Sequence, residues 1–471
     1  MCVRKVAVAL AGMVLMPGCA RDAFAPYFAH PLPPTYQAAP GVRPANVSRW
    51  WTRFASPELD ALIAAANFDN LDIAVAVAQL RQAEAQVRIT GAALWPALSY
   101  GDASSRSQVS GTNAPGVIAL PTIRDSYSKA LNASYTLDVW GQNRDALEAA
   151  IRTKAASAYQ VEVVRLTTYA AAVNDFLVYA ANYERAKVAK NNAADAERIL
   201  GVIGQRRAVG TAADLDIAQQ KSLVEIQRAN IPPLVQAAEN ARIALAVLLG
   251  RPAQSVQLAT RSLGRLRLPV VSPGIPATLL LRRPDIRSAE EQLLSADANV
   301  DVARKAFLPS IALTGQAGFQ SALLATLLRP ESGIYSIAAG VTQPIFDGDR
   351  LRGQLALSVA DRQQLLEAYR KSIVQALSDV ETALIAMREN AARERAQRLG
   401  VAEAKRAFAL SELKLREGTI DLQTLLNTQI TLFQAQDTLI QIRLARLQAA
   451  AALYQALGGD WEETPAMSPL Q

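Results

Sequence analysis

The sequence predicts a mainly helical chain that also carries membrane β-strands, a duplicated unit in which a β-hairpin is joined to long coiled-coil helices. Three observations predict it. The 471 residues repeat one set of marks in one order: Leu94-Trp95-Pro96-Ala97-Leu98 returns as Phe307-Leu308-Pro309-Ser310-Ile311, and Thr136 with Trp140 and Arg144 returns as Thr342 with Phe346 and Arg350. Gly210-Thr211 likewise returns as Gly418-Thr419, and Leu249-Gly250 as Leu457-Gly458, so the offsets between copies are 213, 206, 208 and 208 residues. Two copies are too few for a solenoid and suggest a protomer that completes a ring or tube with others. Second, the 24 glycines and 23 prolines gather at junctions and leave very long uninterrupted segments. Hydrophobic residues reach 51% largely through alanine while aromatics are only 6%, a composition for close-packed elongated helices rather than a bulky core. Third, segments of about ten residues alternate apolar and polar, the pattern of half-buried strands.

In chain order, residues 1–18 read as an export signal: Arg4-Lys5 form the charged region, residues 6–15 the apolar region, and Met16-Pro17-Gly18 precede Cys19. This resembles a bacterial lipoprotein signal, with Met16 where leucine is usual. The resemblance implies that Cys19 becomes the acylated first residue, bearing diacylglycerol and an N-acyl chain, and Ala20 in place of aspartate favours outer-membrane sorting. An ordinary signal peptide cut nearby is the alternative. Residues 19–56, rich in proline and aromatics, suit an extended tether. The first repeat is expected over 57–250, with strands at about 98–108 and 127–138 and a helical hairpin turning near residue 210. The second of these strands places Leu131, Ala133, Tyr135 and Leu137 on one face and Asn132, Ser134, Thr136 and Asp138 on the other. Glycines and prolines between them mark a loop. A helix from Arg144 to about Arg207 follows; Gly210 ends its turn, Asp214 or Thr211 caps the return helix, and Pro232-Pro233 kinks it.

A proline-rich linker over 251–284 leads to the second repeat at 285–458, with strands at about 310–319 and 334–344 and a hairpin turning near 418. Residues 459–471 form a tail. Leu366, Tyr369, Ile373, Ala376, Val380, Ala383 and Met387 keep an uninterrupted heptad seam; Leu432, Ala435, Leu439, Ile442, Ala449 and Leu453 form another, interrupted by Arg446. Gly210 to Gly250 and Gly418 to Gly458 are both forty residues apart, whereas the proline-to-arginine hairpin segments differ, 48 against 41. Helix length is fixed and loop length free.

Composition also excludes. The net charge of +7 comes from 49 basic and 42 acidic residues interspersed along helices, which argues for solvated faces and no nucleic-acid partner. With His30 as its one histidine and Cys2 and Cys19 as its only cysteines, the chain has little material for histidine chemistry, a metal cluster or a disulfide framework. No enzyme constellation and no metal or cofactor site can be assembled. After the signal no stretch is expected to approach the roughly 18–20 apolar residues of a spanning helix, so any spanning is done by strands. Four strands cannot close a barrel in lipid, and the protomer must share its barrel with copies of itself.

Trp50-Trp51 with Phe54 and Pro57, residues 134–141 (SYTLDVWG), Leu280-Leu281-Arg282-Arg283-Pro284-Asp285-Ile286-Arg287 with Ala289-Glu290, Phe307-Leu308-Pro309-Ser310, Pro344-Ile345-Phe346-Asp347-Gly348 and residues 453–459 (LYQALGG) together resemble the TolC-like outer membrane factors, the outer membrane efflux proteins, in their OprM/NodT-type lipoprotein branch. The resemblance covers nearly all of the mature chain. It implies a homotrimer with one 12-stranded β-barrel continued by a periplasmic α-helical barrel. The implied role is a passive exit duct in the cell outer membrane that receives substrates from an inner-membrane pump and a periplasmic adaptor. A periplasmic coiled-coil adaptor or structural protein without a pore is the alternative, disfavoured by the paired amphipathic hairpins.

The resemblance also implies an adaptor-docking tip at the turns, Gly210 with Thr211 and Gly418 with Thr419, although each glycine can equally serve a positive φ alone. Relatives close the tunnel with an acidic ring whose matching positions here are Thr424 and Asn427, a departure. Asp421, and Asp214 with Asp216 in the first half, could rebuild it, or could simply favour helix N-termini. The Arg282-Arg283-Pro284-Asp285 stretch reads as structural, and Asp349 stands where relatives often have glycine.

Overall fold

The computed structural model describes residues 33–37, 49–108, 123–269, 271, 274, 276 and 279–459. The signal 1–18, Cys19, His30, most of the tether, much of the loop after residue 108, parts of the linker and the tail from residue 460 lie outside the described residues.

Helix α1 (Pro57–Asp69) starts where the Ser56 hydroxyl accepts from the Leu59 N–H at 3.2 Å, with Pro57 in the first turn. Asn70 separates it from α2 (Leu71–Gly91): its Oδ1 accepts from the Ile73 N–H at 2.9 Å and its Nδ2 donates to the Leu248 carbonyl at 2.8 Å. Contrary to expectation, residues 57–94 do include a window apolar and long enough to cross a membrane by composition. Only 28% of that window is buried: Leu59, Ile63 and Ala66 sit in the main core, and the buried Asn70 caps α2 and interrupts the run.

Strands β1 (Ala97–Gln108), β2 (Ile123–Leu137), β3 (Ser310–Ser321) and β4 (Gly333–Thr342) form one antiparallel sheet in sequential order, within which β1 and β4 are each paired on one side. β2 starts four residues before the expected 127 because 123–126 continue the ladder opposite Ser105–Gln108, and β4 stops at Thr342, two residues before the expected end at Pro344. The register sets Tyr100, Leu131, Ala317 and Tyr335 in one row, Leu98, Ala133, Gly315 and Ile337 in the next, then Tyr135, Leu313 and Ala339, so most of the large apolar residues of the four strands share a face, with Ile334 on the other. Asn132, Ser134, Thr314, Gln316 and Ser336 share the other.

Two helices of identical length follow the hairpins, α3 (Gln142–Ala208) and α8 (Arg350–Arg416), 67 residues each and about 100 Å long at 1.5 Å per residue. The return from α3 is broken into α4 (Asp214–Ala229) and α5 (Ile231–Leu248), with the break at Asn230 and the two prolines in the first turn of α5. The return from α8 is one helix, α9 (Leu422–Ala456), of 35 residues. Between the repeats lie the single-turn α6 (Leu279–Arg282) and α7 (Pro284–Lys305), which starts at the expected Pro284.

All four recurring glycines close the same C-terminal motif: the Thr211 N–H reaches Arg206 O and Gly210 N–H reaches Arg207 O, and matching pairs occur at Thr419/Gly418, Arg251/Gly250 and Gly459/Gly458. They differ in surroundings. A Cβ on Gly250 would lie 2.3 Å from the Asp69 carbonyl, and one on Gly458 2.5 Å from the Arg282 carbonyl, whereas nothing lies within 4 Å at Gly210 or Gly418. Each Leu-Gly mark therefore closes a joint between the end of a return helix and the start of a short helix, α2 or α7. Asn70 holds Leu248 O at the first joint, and Arg283 holds Ala456 O at 3.3 Å at the second.

The main core gathers Trp50, Phe54, Phe176, Tyr179 and Tyr454, with Trp50 stacked on Tyr454 at 5.5 Å. A separate cluster near the turns joins Ile199, Ile203, Leu223, Phe408, Leu425 and Phe433.

Candidate functional site

Two regions carry the functional geometry: the outward face of the sheet and the turns at the far end of the helices. On the apolar face Leu98, Tyr100, Tyr335, Ile337 and Val341 are all more than 60% exposed in the single protomer, a grouping of large apolar side chains that suits lipid or a partner better than water. The band is bounded. Lys129 pairs with Asp102 on the same face, and Leu137 lies eight residues further along β2, about 20 Å of height for a tilted strand. At the other end Trp140 donates from its indole to Pro309 O at 2.7 Å, and Trp95, Ile345 and Phe346 are exposed, which places aromatic residues at the rim.

At the turns, Gly210 and Gly418 have φ of +76° and +73° with open space around them, so the left-handed conformation, not crowding within the chain, requires glycine. The hydroxyls of Thr211 and Thr419 donate back to Arg206 O and Lys414 O. That use of Thr211 corrects the expected cap. Neither Thr211 nor Asp214 caps α4: Ala213 occupies the cap position, its N–H donates to Asp216 Oδ2 at 2.9 Å, and Asp214 pairs with Arg207. In the second hairpin Asp421 caps α9, accepting from the Thr424 N–H at 2.9 Å. Hydrogen bonds from the Thr424 hydroxyl and N–H hold the Asp421 carboxyl below its ordinary range. The candidate acids are thus engaged each in its own turn, and among the described residues no three acidic, histidine or cysteine side chains gather into a metal-binding group. Thr424 and Asn427 are exposed on α9, with Gln423 Nε2 donating to Asn427 Oδ1 at 3.2 Å, and residues 422–436 contain no charged side chain.

Sequence reasoning missed the contacts that tie the hairpins together. Arg198 grips Glu412 with two nitrogens at 2.5 and 3.3 Å, Arg416 joins the same carboxylate at 2.7 Å, and Arg206 donates to Leu415 O at 2.9 Å. Gln220 and Gln429, both fully buried, meet at 3.4 Å, and Gln220 also donates to Ala196 O. Higher up, Arg446 reaches Glu394 on α8 at 2.8 Å, with Arg398 on the other oxygen. Burial pushes the Glu394 carboxyl up, but the two guanidinium groups outweigh it and hold it below the usual range. The interruption at Arg446 was the one visible sign of this pair. Arg283 is the hub of the expected structural motif: it holds both oxygens of Asp285 at 3.0 and 2.7 Å and Asp379 of α8 at 3.0 Å, on an almost buried side chain. Asp349 takes φ +64° at the entry to α8, the left-handed conformation that explains glycine in relatives.

A family model described as outer membrane efflux protein matches residues 62–251 and 275–459. The pyoverdine export outer membrane protein OpmQ of Pseudomonas aeruginosa is 39% identical over 430 residues, covering 91% of this chain and 90% of OpmQ. The crystal structure of a membrane protein from Pseudomonas aeruginosa matches with a TM-score of 0.85 at 29% identity, over 92% of this chain and 96% of that one. The open state of the MtrE outer membrane channel of Neisseria gonorrhoeae matches at 0.82 and 27% identity, over 91% and 96%.

Proposed function

The chain belongs to the outer membrane efflux protein family, and from that premise we propose how its parts serve export across the outer membrane. Three copies join β4 of one protomer to β1 of the next and close twelve strands into a barrel, since a lone four-stranded sheet in lipid would leave backbone groups unpaired. The single observation that carries this reading is the sheet with one apolar face and both edges open in the chain. The long helices of the three copies continue the barrel as a periplasmic tunnel. The two repeats, 57–250 and 285–458, supply alternate staves, a division supported by the two matched stretches.

The turns at Gly210-Thr211 and Gly418-Thr419 meet a periplasmic adaptor, which couples the duct to an inner-membrane pump. Closure falls to the tip of the hairpins, with Thr424 and Asn427 at the narrowing and Asp214, Asp216 and Asp421 as its acids. Cys19 carries the lipid that anchors the tether in the outer membrane. The duct conducts passively, needs no metal or cofactor and catalyses nothing. OpmQ is a pyoverdine export protein, and pyoverdine-type export is the first cargo to test.

Detergent-extracted protein should run as a trimer and conduct ions in a planar bilayer. A monomer released from membranes by salt alone would overturn the reading and favour a pore-less periplasmic protein. For the anchor, Cys19→Ser should abolish incorporation of labelled palmitate; continued labelling would refute it.

A further inference from the structure

The two hairpins of the sheet end differently at the edge away from the helices. Between β1 and β2 the outward face closes in charged rows, Asp102 opposite Lys129 and Arg106 opposite Asp125. The other hairpin has no charged side chain from Ala306 to Leu328, and β3 sets Phe319 beside Lys129. The loop that follows, residues 322–332, is tied together by its own side chains. Ser321 Oγ lies 2.6 Å from Thr326 Oγ1 and accepts from the Leu323 N–H at 3.2 Å, Thr326 Oγ1 donates to Leu323 O at 3.1 Å, and Ser332 Oγ donates to Thr326 O at 2.8 Å. Leu327 is buried and seats the loop, yet Leu323, Leu324 and Leu328 are each at least 64% exposed. Thr326 is the one polar side chain between Ala322 and Leu328, and its hydroxyl is already bonded within the loop. A loop held in one shape with three leucines in the open presents a surface that the chain itself does not cover.

The register says which way it turns. Ser321 stands opposite Tyr127, in the same parity as Leu131 and Leu137, so its side chain is on the outward face while Gln320 is on the polar one. The bond from Ser321 to Thr326 therefore draws the loop toward the outward face and away from the lumen. Tyr127 is ten residues from Leu137 along β2, about 25 Å of height for a tilted strand, which is the full height of a lipid-facing band. The leucines thus continue that band at its outer edge, on the side of the sheet where no charged row ends it.

We propose that this loop is an anchor in the outer leaflet: Leu323, Leu324 and Leu328 insert among the acyl chains beside the barrel, and the exposed Arg329 and Glu331 that follow stay at headgroup level. The inference rests on the reading that the apolar face of the sheet meets lipid. It adds a contact that the strands alone do not make, because the loop reaches lipid from beyond the last paired row and fixes how far the mouth of the duct stands above the membrane.

The test uses the full-length protein in vesicles of phosphatidylethanolamine and phosphatidylglycerol, with a nitroxide spin label placed in turn at Leu324→Cys, Ile337→Cys and Gln320→Cys and the signal of labelled wild type subtracted. Relaxation by oxygen, which dissolves in acyl chains, is compared with relaxation by a nickel chelate, which stays in water. The Ile337 site should read as lipid and the Gln320 site as water, and the oxygen-to-nickel ratio at the Leu324 site should exceed that at Gln320 severalfold. A Leu324 site as open to nickel as the Gln320 site overturns the anchor while Ile337 still supports the barrel; an Ile337 site open to nickel overturns the barrel reading and the anchor together. A Leu324 site shielded from both reagents also overturns the anchor, since the leucines then face protein. Leu323→Ser/Leu324→Ser/Leu328→Ser should leave conductance in planar bilayers unchanged; a severalfold rise means that the loops cover the mouth, and overturns the proposal.

Discussion

Substituting Glu394 should separate the worth of a buried charge from that of the heptad seam it interrupts. The side chain is 4% exposed and accepts from Arg398 at 2.5 Å and Arg446 at 2.8 Å; Arg446 is 28% exposed and Arg398 61%. Glu394→Gln keeps the shape and one acceptor but leaves Arg446 as a half-buried cation facing a neutral amide. Breaking a fully buried pair costs about 3–5 kcal/mol; with Arg398 largely solvated, the loss expected here is about 2 kcal/mol. Glu394→Leu/Arg446→Leu completes the seam of Leu439, Ile442 and Ala449, and should recover that loss to within about 1 kcal/mol of wild type. The assay is guanidinium unfolding of the detergent-solubilised protein followed by helical circular dichroism. The sign with pH follows from the carboxyl being held below 4.5, its ordinary value. A depressed folded-state pKa gives stability that is present above 4.5 and lost as pH falls through the folded value, so wild type should lose stability below about pH 4.5 and Glu394→Gln should lose less. A double variant less stable than Glu394→Gln, or a Gln variant as stable as wild type, would refute the assignment.

Three further outcomes follow. Gly210→Ala and Gly250→Ala impose the same unfavourable φ, yet the first should cost only about 1–2 kcal/mol, whereas the second drives a methyl into Asp69 O and should sharply reduce the folded protein recovered from membranes; equal yields would contradict the joint. Asp421→Asn keeps an N-cap acceptor without charge, while Asp421→Ala loses both. If the carboxylate guards the tunnel, both variants should change block by multivalent cations in a bilayer; if it only caps α9, only the alanine variant should alter conductance. Arg283→Met should leave Asp285 and Asp379 without their shared cation and lower stability by about 3 kcal/mol, with trimer dissociation in detergent at lower temperature as the readout.

The sequence exposed what depends on spacing. Strand positions came within four residues, because alternation and flanking Gly and Pro define them locally, and the equal forty-residue returns anticipated matched ends at Gly250 and Gly458 but not that one return is broken at Asn230 and the other continuous. The resemblance through the Arg282-to-Arg287 and Leu453-to-Gly459 stretches carried the fold class. What stayed hidden depends on pairing across long separations. Arg198 with Glu412 and Gln220 with Gln429 join residues more than two hundred positions apart, and no local signal chooses those partners. The caps show a different difficulty: Thr211 and Asp214 were plausible by type, but the closing motif turned the hydroxyl back to Arg206 and moved the helix start to Ala213. The apolar window within 57–94 shows the converse: it is only 28% buried, and composition alone does not reveal that the cap at Asn70 divides it into two helices.

The equal lengths of α3 and α8 act as a tolerance on how such a chain can change. One residue added to either helix would rotate everything beyond it by about 100° and raise it about 1.5 Å, turning its seam away from its partner and setting the two turns at different depths. Insertions are therefore confined to places such as the strand connections, where the two copies already differ. Within α3 and α8, divergence between the halves is restricted to exchange of side chains, and the joints differ in the same way, one held by a neutral asparagine and the other by a charged arginine. The two joints should consequently respond differently to salt, although the backbone they close is the same.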